Sequence, residues 1–279
     1  MKPAPFAYHR PSTLDEAIAT LAADPHAKVL AGGQSLVPLL SMRLAQPSAL
    51  VDINGLAELA GIRVDDRGVR IGALARHADV LASAEVRRTQ PLVSLALAHV
   101  AHATIRNRGT TVGSLVHADA AAEMPVVLTL LGGSVEVASV RGRRTIAAAE
   151  LFLGPLESSL APDEIAVSAD FPALPAGAGV AFEEIARRHG DYALCGVAAL
   201  ADGETVKAGF VSVSDVPTVV DLSGVPAGER GAAALAELDP VGDIHATAAY
   251  RSQLVRVLTE RVVGSAVRDA ELRSREGAP

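Results

Sequence analysis

Two short glycine-bearing stretches hold the residue types best suited to chemistry in this chain: Ala31-Gly32-Gly33-Gln34-Ser35 and Thr110-Thr111-Val112-Gly113-Ser114. Glycine permits positive φ and lacks the Cβ that would keep a ligand away from the backbone. Successive N–H groups in such loops form a concave nest for phosphate oxygens. Two nests about eighty residues apart fit one extended, doubly phosphorylated ligand held between two parts of a fold. A Gly-Gly pair after Lys28-Val29-Leu30 also reads as a plain turn, where glycine is common. Neither stretch is a standard nucleotide motif. The chain has no G-x-G-x-x-G opening a helix and no G-x-x-x-x-G-K-[ST].

The elements around these loops follow from pattern. Residues 12–22 read as an amphipathic helix capped by Ser12 or Thr13, and residues 28–31 as a buried strand ending in the first loop. A short helix over 36–44 and a strand over 49–53, closed by Asn54-Gly55, complete a small α/β unit. A hairpin over 61–65 and 68–72 opens a second unit, with helices over 77–84, 91–102 and 123–131. A strand at 134–138 pairs with 143–146, and residues 148–152 lead into a loop containing Pro155. The Pro/Gly-rich segment 171–179 marks a boundary. Beyond it come strands at 193–200, 207–213 and 218–222, helices near 232–238 and 244–263, and a mobile polar tail from residue 268. The expected domains are 1–56, 57–175 and 176–279, and the fold class is α+β.

Composition removes several function classes. The 279 residues are 49% hydrophobic and 20% charged, the balance of a globular protein with a sizeable core. Aromatics make up 3%, so that core is built from small aliphatic side chains. A net charge of −7 argues against nonspecific nucleic-acid binding. No apolar run is long enough for a membrane span, and the first residues lack the apolar stretch of a secretory signal; the expected location is the cytoplasm. Cys195 is the only cysteine and sits in an apolar stretch, so it reads as a buried structural thiol. One cysteine allows neither an internal disulfide nor a four-cysteine iron–sulfur cluster. His99 and His102 lie three apart without a third ligand in a suitable pattern, so no metal site is expected.

Three blocks in order carry a family likeness. The first runs from Val29 through the glycine loop to Arg43-Leu44-Ala45-Gln46-Pro47 and Leu50-Val51-Asp52-Ile53-Asn54. The second is Ile105-Arg106-Asn107-Arg108-Gly109 followed by the second loop and His117-Ala118-Asp119, and the third is Arg187-Arg188-His189-Gly190-Asp191-Tyr192-Ala193. Together they resemble the FAD-binding medium subunit of the molybdenum hydroxylases. That family includes the flavoprotein subunits of aerobic carbon monoxide dehydrogenase, bacterial N-heterocycle dehydrogenases and xanthine dehydrogenase.

The resemblance implies a two-part, PCMH-type FAD-binding domain of the vanillyl-alcohol-oxidase kind, followed by an α+β C-terminal domain. It implies FAD extended between the first two units, its diphosphate held by Ala31, Gly32, Gly33, Gln34, Ser35 and Leu36 on one side. Thr110, Thr111, Gly113 and Ser114 face it from the other. Asp119 matches a position near the cofactor, where it accepts from a sugar hydroxyl; as a lone aspartate after a loop it reads equally as a helix cap. Tyr192 matches an aromatic that approaches the isoalloxazine and gates the electron acceptor. His117 reads as packed rather than catalytic, and Arg187 and Arg188 as interface or solvated residues. The family's second loop is usually Thr-Ile-Gly-Gly; aligned without gaps from Asn107, Val112 takes the first of its two glycine positions, whereas sliding the register to Thr111-Val112-Gly113-Ser114 avoids this and costs one glycine. A β-branched residue disfavours positive φ, so this loop cannot copy a conformation that needs it there. The implied role is to pass electrons from a partner's iron–sulfur clusters through FAD to an external acceptor, with a molybdopterin-binding large subunit as the other partner. No catalytic residue is required of this chain. A free-standing flavoenzyme and a flavin-free scaffold are the alternatives.

Overall fold

The computed structural model describes residues 2–276. Its first helix, Leu14–Ala23, begins at a reciprocal cap. The Thr13 hydroxyl accepts from the Glu16 N–H at 3.2 Å, and the Glu16 carboxylate accepts from the Ser12 N–H at 2.7 Å and its hydroxyl at 2.9 Å. Leu14, Ala17, Ile18 and Leu21 form its buried stripe. Beside it lies a three-stranded parallel sheet, in the order Ala7–His9, Ala49–Asp52, Lys28–Leu30. Its central strand is wholly buried, as a parallel strand covered on both faces must be.

A five-stranded antiparallel sheet follows, in the order Ile62–Asp65, Gly68–Gly72, Ile165–Pro172, Ser134–Ser139, Gly142–Ala147. Alternation puts Val69, Ile71, Val135, Val137, Ala169 and Phe171 in the core. A four-stranded antiparallel sheet of Gly179–Ala186, Ala193–Asp202, Thr205–Val211 and Thr218–Asp221 is packed by the long helix Ala248–Glu276. The helix Glu123–Leu130 also contacts this last sheet, and seven of its eight residues are buried. Gly209 makes the approach possible, since a Cβ there would lie 2.7 Å from Val126. Burying Met124, Val126, Val127 and Leu128 contributes about 1.5–3 kcal/mol each.

The structure departs from the sequence expectations at identifiable places. Residues 36–44 are helical only over Leu36–Ser41, since Arg43 turns to a positive φ of 59°. Residues 77–84 end at Ala82, and a second helix, Ala84–Thr89, starts at once under a Ser83 cap. The helix from Pro91 stops at Leu97, and residues 98–102 turn into the short helix Ala103–Arg106. The second glycine loop is itself a helix, Thr111–His117. Four-residue helix Ala148–Leu151 precedes the strand Phe152–Gly154. The segment beyond residue 268 is an ordered part of the final helix, which begins at Ala248 rather than 244. Asp269 accepts from the Val180 N–H at 3.0 Å and pairs with Arg273 at 2.9 Å, which fastens the last turns to the sheet. Residues 277–279 lie outside the described residues.

Candidate functional site

The strand Lys28–Leu30 delivers the first loop to the edge of a cavity of about 400 Å³. Ala31, Gly32, Gly33 and Gln34 line it, opposite Asp52, Asn54, Ile105 and Arg108. Ser35 and Leu36 stand just beyond its wall, at the start of the helix Leu36–Ser41. Among the described residues, the backbone N–H groups of Gly32, Gly33, Gln34 and Ser35 make no hydrogen bond to the protein. Gly32 is buried and Gly33 and Gln34 are half-buried, so their donors require an acceptor from elsewhere, while Ser35 is exposed.

The two glycines of the first loop serve different ends. Gly33 has φ +73°, the left-handed conformation that turns the chain into the helix. Gly32 is buried against the second block: a Cβ there would lie 2.5 Å from the Arg108 carbonyl oxygen and 2.9 Å from the Gly109 Cα. The loops are in contact, as a single cradle for a diphosphate demands.

Thr110 is the N-cap of Thr111–His117, and its Oγ1 accepts from the Gly113 N–H at 3.1 Å. A Cβ on Gly113 would meet that oxygen at 2.5 Å, so a larger residue here would make the Thr110 hydroxyl shift. The Thr111 side chain turns inward, its hydroxyl 3.1 Å from His77 Nδ1. Burial first, then the Arg106 charge, pushes the His77 pKa down to about 4, so the ring is neutral. Thr110 and Thr111 are buried, and both hydroxyls are engaged inside the protein. Val112 is helical, not of positive φ, and 1% exposed in the core. Its side chain points away from the cradle, so the valine copies no glycine conformation because none is used. Ser114 is half-buried on the same helix.

The helix ends at Ala118, with φ 53°, and delivers Asp119. Asp119 Oδ1 accepts from the Ala121 N–H at 2.9 Å, whereas Ala122 is the N-cap of Glu123–Leu130; the helix-cap reading of Asp119 is therefore set aside. Tyr192 is 65% exposed. Its pKa is raised by partial desolvation and by the nearby Asp119 and Glu123 carboxyls. Glu123 is buried, and its pKa is pushed up to about 8 by burial and then by Glu184. Arg187 and Arg188 are exposed and pair with Asp191 at 4.0 and 3.3 Å. His117 is half-buried. Cys195 is fully buried and its thiol is pushed up to about 12.

Sequence reasoning missed the polar residues that join the loops. Asn54 donates Nδ2 to the Ala31 carbonyl at 2.8 Å and to Asp52 Oδ1 at 2.6 Å, and its Oδ1 accepts from Arg76 Nη2 at 2.7 Å. Arg76 Nη1 donates to the Arg108 carbonyl at 2.7 Å. Burial raises the Asp52 pKa, but hydrogen bonds from Tyr8 and Asn54 outweigh it and leave the carboxyl below its ordinary value. Burial and then the neighbouring Arg108 charge lower the Arg76 pKa. Asn54 reads from sequence as a turn residue closing the first resemblance block, and nothing in the local pattern marks Arg76. The Arg108 side chain beside unpaired N–H donors forms a site that fits the diphosphate of FAD, with Arg76 behind its wall. Among the described residues, no group of three or more His, Cys, Asp or Glu could hold a metal ion, and no helix is long and apolar enough to cross a membrane.

Residues 4–174 match the family described as the FAD binding domain in molybdopterin dehydrogenase. The chain belongs to that family. Its FAD-binding domain extends into a whole-chain likeness. The chain is 41% identical to the 6-hydroxypseudooxynicotine dehydrogenase complex subunit alpha of Paenarthrobacter nicotinovorans, over 97% of each chain. It superposes on a chain of carbon monoxide dehydrogenase from Hydrogenophaga pseudoflava with a TM-score of 0.90 at 31% identity, covering 96% of this chain and 99% of the other. Against a chain of quinoline 2-oxidoreductase from Pseudomonas putida 86 the TM-score is 0.89 at 36% identity, covering 97% and 99%. The α+β architecture is thus that of the FAD-bearing chains of this family.

Proposed function

We propose that this protein is the electron-output subunit of a cytoplasmic molybdenum hydroxylase. It passes electrons from iron–sulfur clusters on a small partner, themselves fed by a molybdopterin-binding large partner, through FAD to an external acceptor. The observation that carries this reading is the cradle itself: two loops in contact, with free N–H donors and Arg108 at its wall, in a chain whose single cysteine precludes a four-cysteine cluster of its own. Domains 1–56 and 57–175 would meet at the cradle, and 176–279 would carry Tyr192, which lies by Asp119 and Glu123.

Bound FAD supplies the exchange between electrons arriving singly and electrons leaving in pairs. The chain's own residues bind and orient it. The free N–H groups of Gly32, Gly33, Gln34 and Ser35 would face the diphosphate, flanked by Ala31 and Leu36; Thr110, Thr111, Gly113 and Ser114 would form the opposite wall, where the Gly113 and Ser114 N–H groups are already given to Thr110. Neutral donors hold the anion without burying a lysine. Asp119 keeps Oδ2 free of its turn for a sugar hydroxyl. Tyr192 covers the ring system from the C-terminal domain, its open face setting the acceptor's path.

The test is the visible spectrum of the purified chain, with acid release and identification of the chromophore, beside co-purification with cluster-bearing chains. Released FAD and cluster-bearing partners are expected. A colourless chain that also rejects added FAD would leave only the scaffold. Flavin without partners would favour a free-standing enzyme.

A further inference from the structure

The contact between the two loops is made by Gly32, which has no side chain with which to hold its neighbour. The hydrogen-bonded route from one loop to the other runs through two side chains. It goes from the Ala31 carbonyl to Asn54 Nδ2, from Asn54 Oδ1 to Arg76 Nη2, and from Arg76 Nη1 to the Arg108 carbonyl. The polarity of this route has one solution. A guanidinium only donates and a carbonyl only accepts, so Asn54 must face arginine with its oxygen and Ala31 with its nitrogen. Asp52, fixed by Tyr8, accepts the second Nδ2 hydrogen and locks that orientation. The other end is anchored too. The His77 N–H donates to the Gly109 carbonyl at 2.9 Å, and Arg76 bridges Thr110 through its backbone. Arg76 does not line the cavity.

We propose that Asn54 and Arg76 are positioning residues for flavin binding, a two-side-chain strut that sets the separation of the loops before the cofactor arrives. The proposal rests on assigning the diphosphate to these loops. It makes flavin affinity depend on a side chain, Arg76, that acts through the Asn54 amide and the Arg108 backbone.

The experiment measures FAD affinity of the full chain by flavin fluorescence quenching. It compares wild type with Arg76→Met, Asn54→Ala, their double variant, Arg76→Lys and Asn54→Asp, with the thermal midpoint of each flavin-free chain recorded alongside. Loss of one charge-assisted hydrogen bond weakens binding by about tenfold or more. Each truncation is expected to show that loss, and the double variant no more than the worse single one, because a strut cut once is already cut. Arg76→Lys recovers part of the affinity, its single ammonium reaching one carbonyl. Asn54→Asp binds no better than Asn54→Ala, since it sets a carboxylate against the Ala31 carbonyl and Asp52. Where Arg76→Met does not fold, Arg76→Lys and Asn54→Asp carry the comparison. Wild-type affinity in the truncated variants, or losses that add in the double variant, overturns the strut alone. A wild-type chain that binds no FAD overturns it together with the flavin assignment.

Discussion

Replacing Gly32 by alanine isolates the contact between the two loops. Gly32 has no left-handed backbone, so alanine meets no conformational strain there. The added Cβ would sit 2.5 Å from the Arg108 oxygen, 2.9 Å from the Gly109 Cα and 3.1 Å from the Thr110 nitrogen. All three are backbone atoms and cannot swing aside. Ordinary contact begins near 3.4 Å, so the loops must part by about 0.9 Å. Overpacking of this kind costs about 1–3 kcal/mol, or roughly five- to 150-fold in an equilibrium constant. The neighbouring Gly33→Ala differs in cause. Its Cβ meets only the ends of the Leu30 and Val37 side chains at 3.2 Å, but its φ of +73° costs a non-glycine residue about 1–2 kcal/mol. Gly61→Ala, with open space around it, serves as the control. Urea unfolding of the flavin-free chain and titration with FAD together divide the cost between fold and cradle. Gly32→Ala should lose more than Gly33→Ala in flavin affinity, because it alone separates the two walls. A Gly32→Ala chain with the wild-type midpoint and wild-type affinity would refute the argument that these loops form one cradle.

Other outcomes follow from the same geometry. Val112→Gly should lower stability by about 2–4 kcal/mol in urea unfolding without tightening FAD binding, because Val112 is a core residue. Thr111→Val should cost about 1 kcal/mol by leaving His77 Nδ1 unpaired in the interior, and a variant of unchanged stability would mean that the ring has another partner. Glu123 gives a pH dependence. The unfolded carboxyl ionises near pH 4.5 while the folded one keeps its proton to about pH 8. The unfolded chain therefore binds fewer protons between those values, and stability falls as pH rises, by at most about 1.4 kcal/mol per unit. His77 acts oppositely but only between about pH 4 and 6.5, since the folded ring resists a proton that the unfolded ring takes up. From pH 6.5 to 8 the Glu123 slope stands clear of His77. Glu123→Gln should flatten it, and a slope that survives the substitution would assign it elsewhere.

Much of the scaffold was readable because its signals are local. The Ser12-Thr13 cap, the hairpin Ile62–Asp65 with Gly68–Gly72, and the pair Ser134–Ser139 with Gly142–Ala147 each follow from residues a few positions apart. The strand Ile165–Pro172 was missed although it is the centre of the five-stranded sheet. Its partners lie about thirty and about a hundred residues away, and the Pro/Gly-rich boundary that begins at its end drew attention instead. The cradle was half legible for the same reason. Glycine at 32 and 33 advertises close approach, but sequence cannot say whether the close neighbour is a ligand or another stretch of backbone.

Val112 shows how that ambiguity resolves. Read as the second loop of a pair, Thr110–Ser114 makes valine at a glycine position look like damage to a phosphate nest. Once Thr110 is seen capping a helix, the same residue occupies its first turn, where N–H groups point forward regardless of side chain. The side chain is then free to pack inward at 1% exposure. The glycine on which this wall closes is Gly113, where an added Cβ would push the Thr110 hydroxyl from its place. Donor direction at this wall is a property of the helix start, whereas its distance from the first loop is set by Gly32, Asn54 and Arg76. The second loop therefore tolerates substitution that leaves the helix start intact, and the first tolerates none that moves Ala31 or Gly32 away from Arg108.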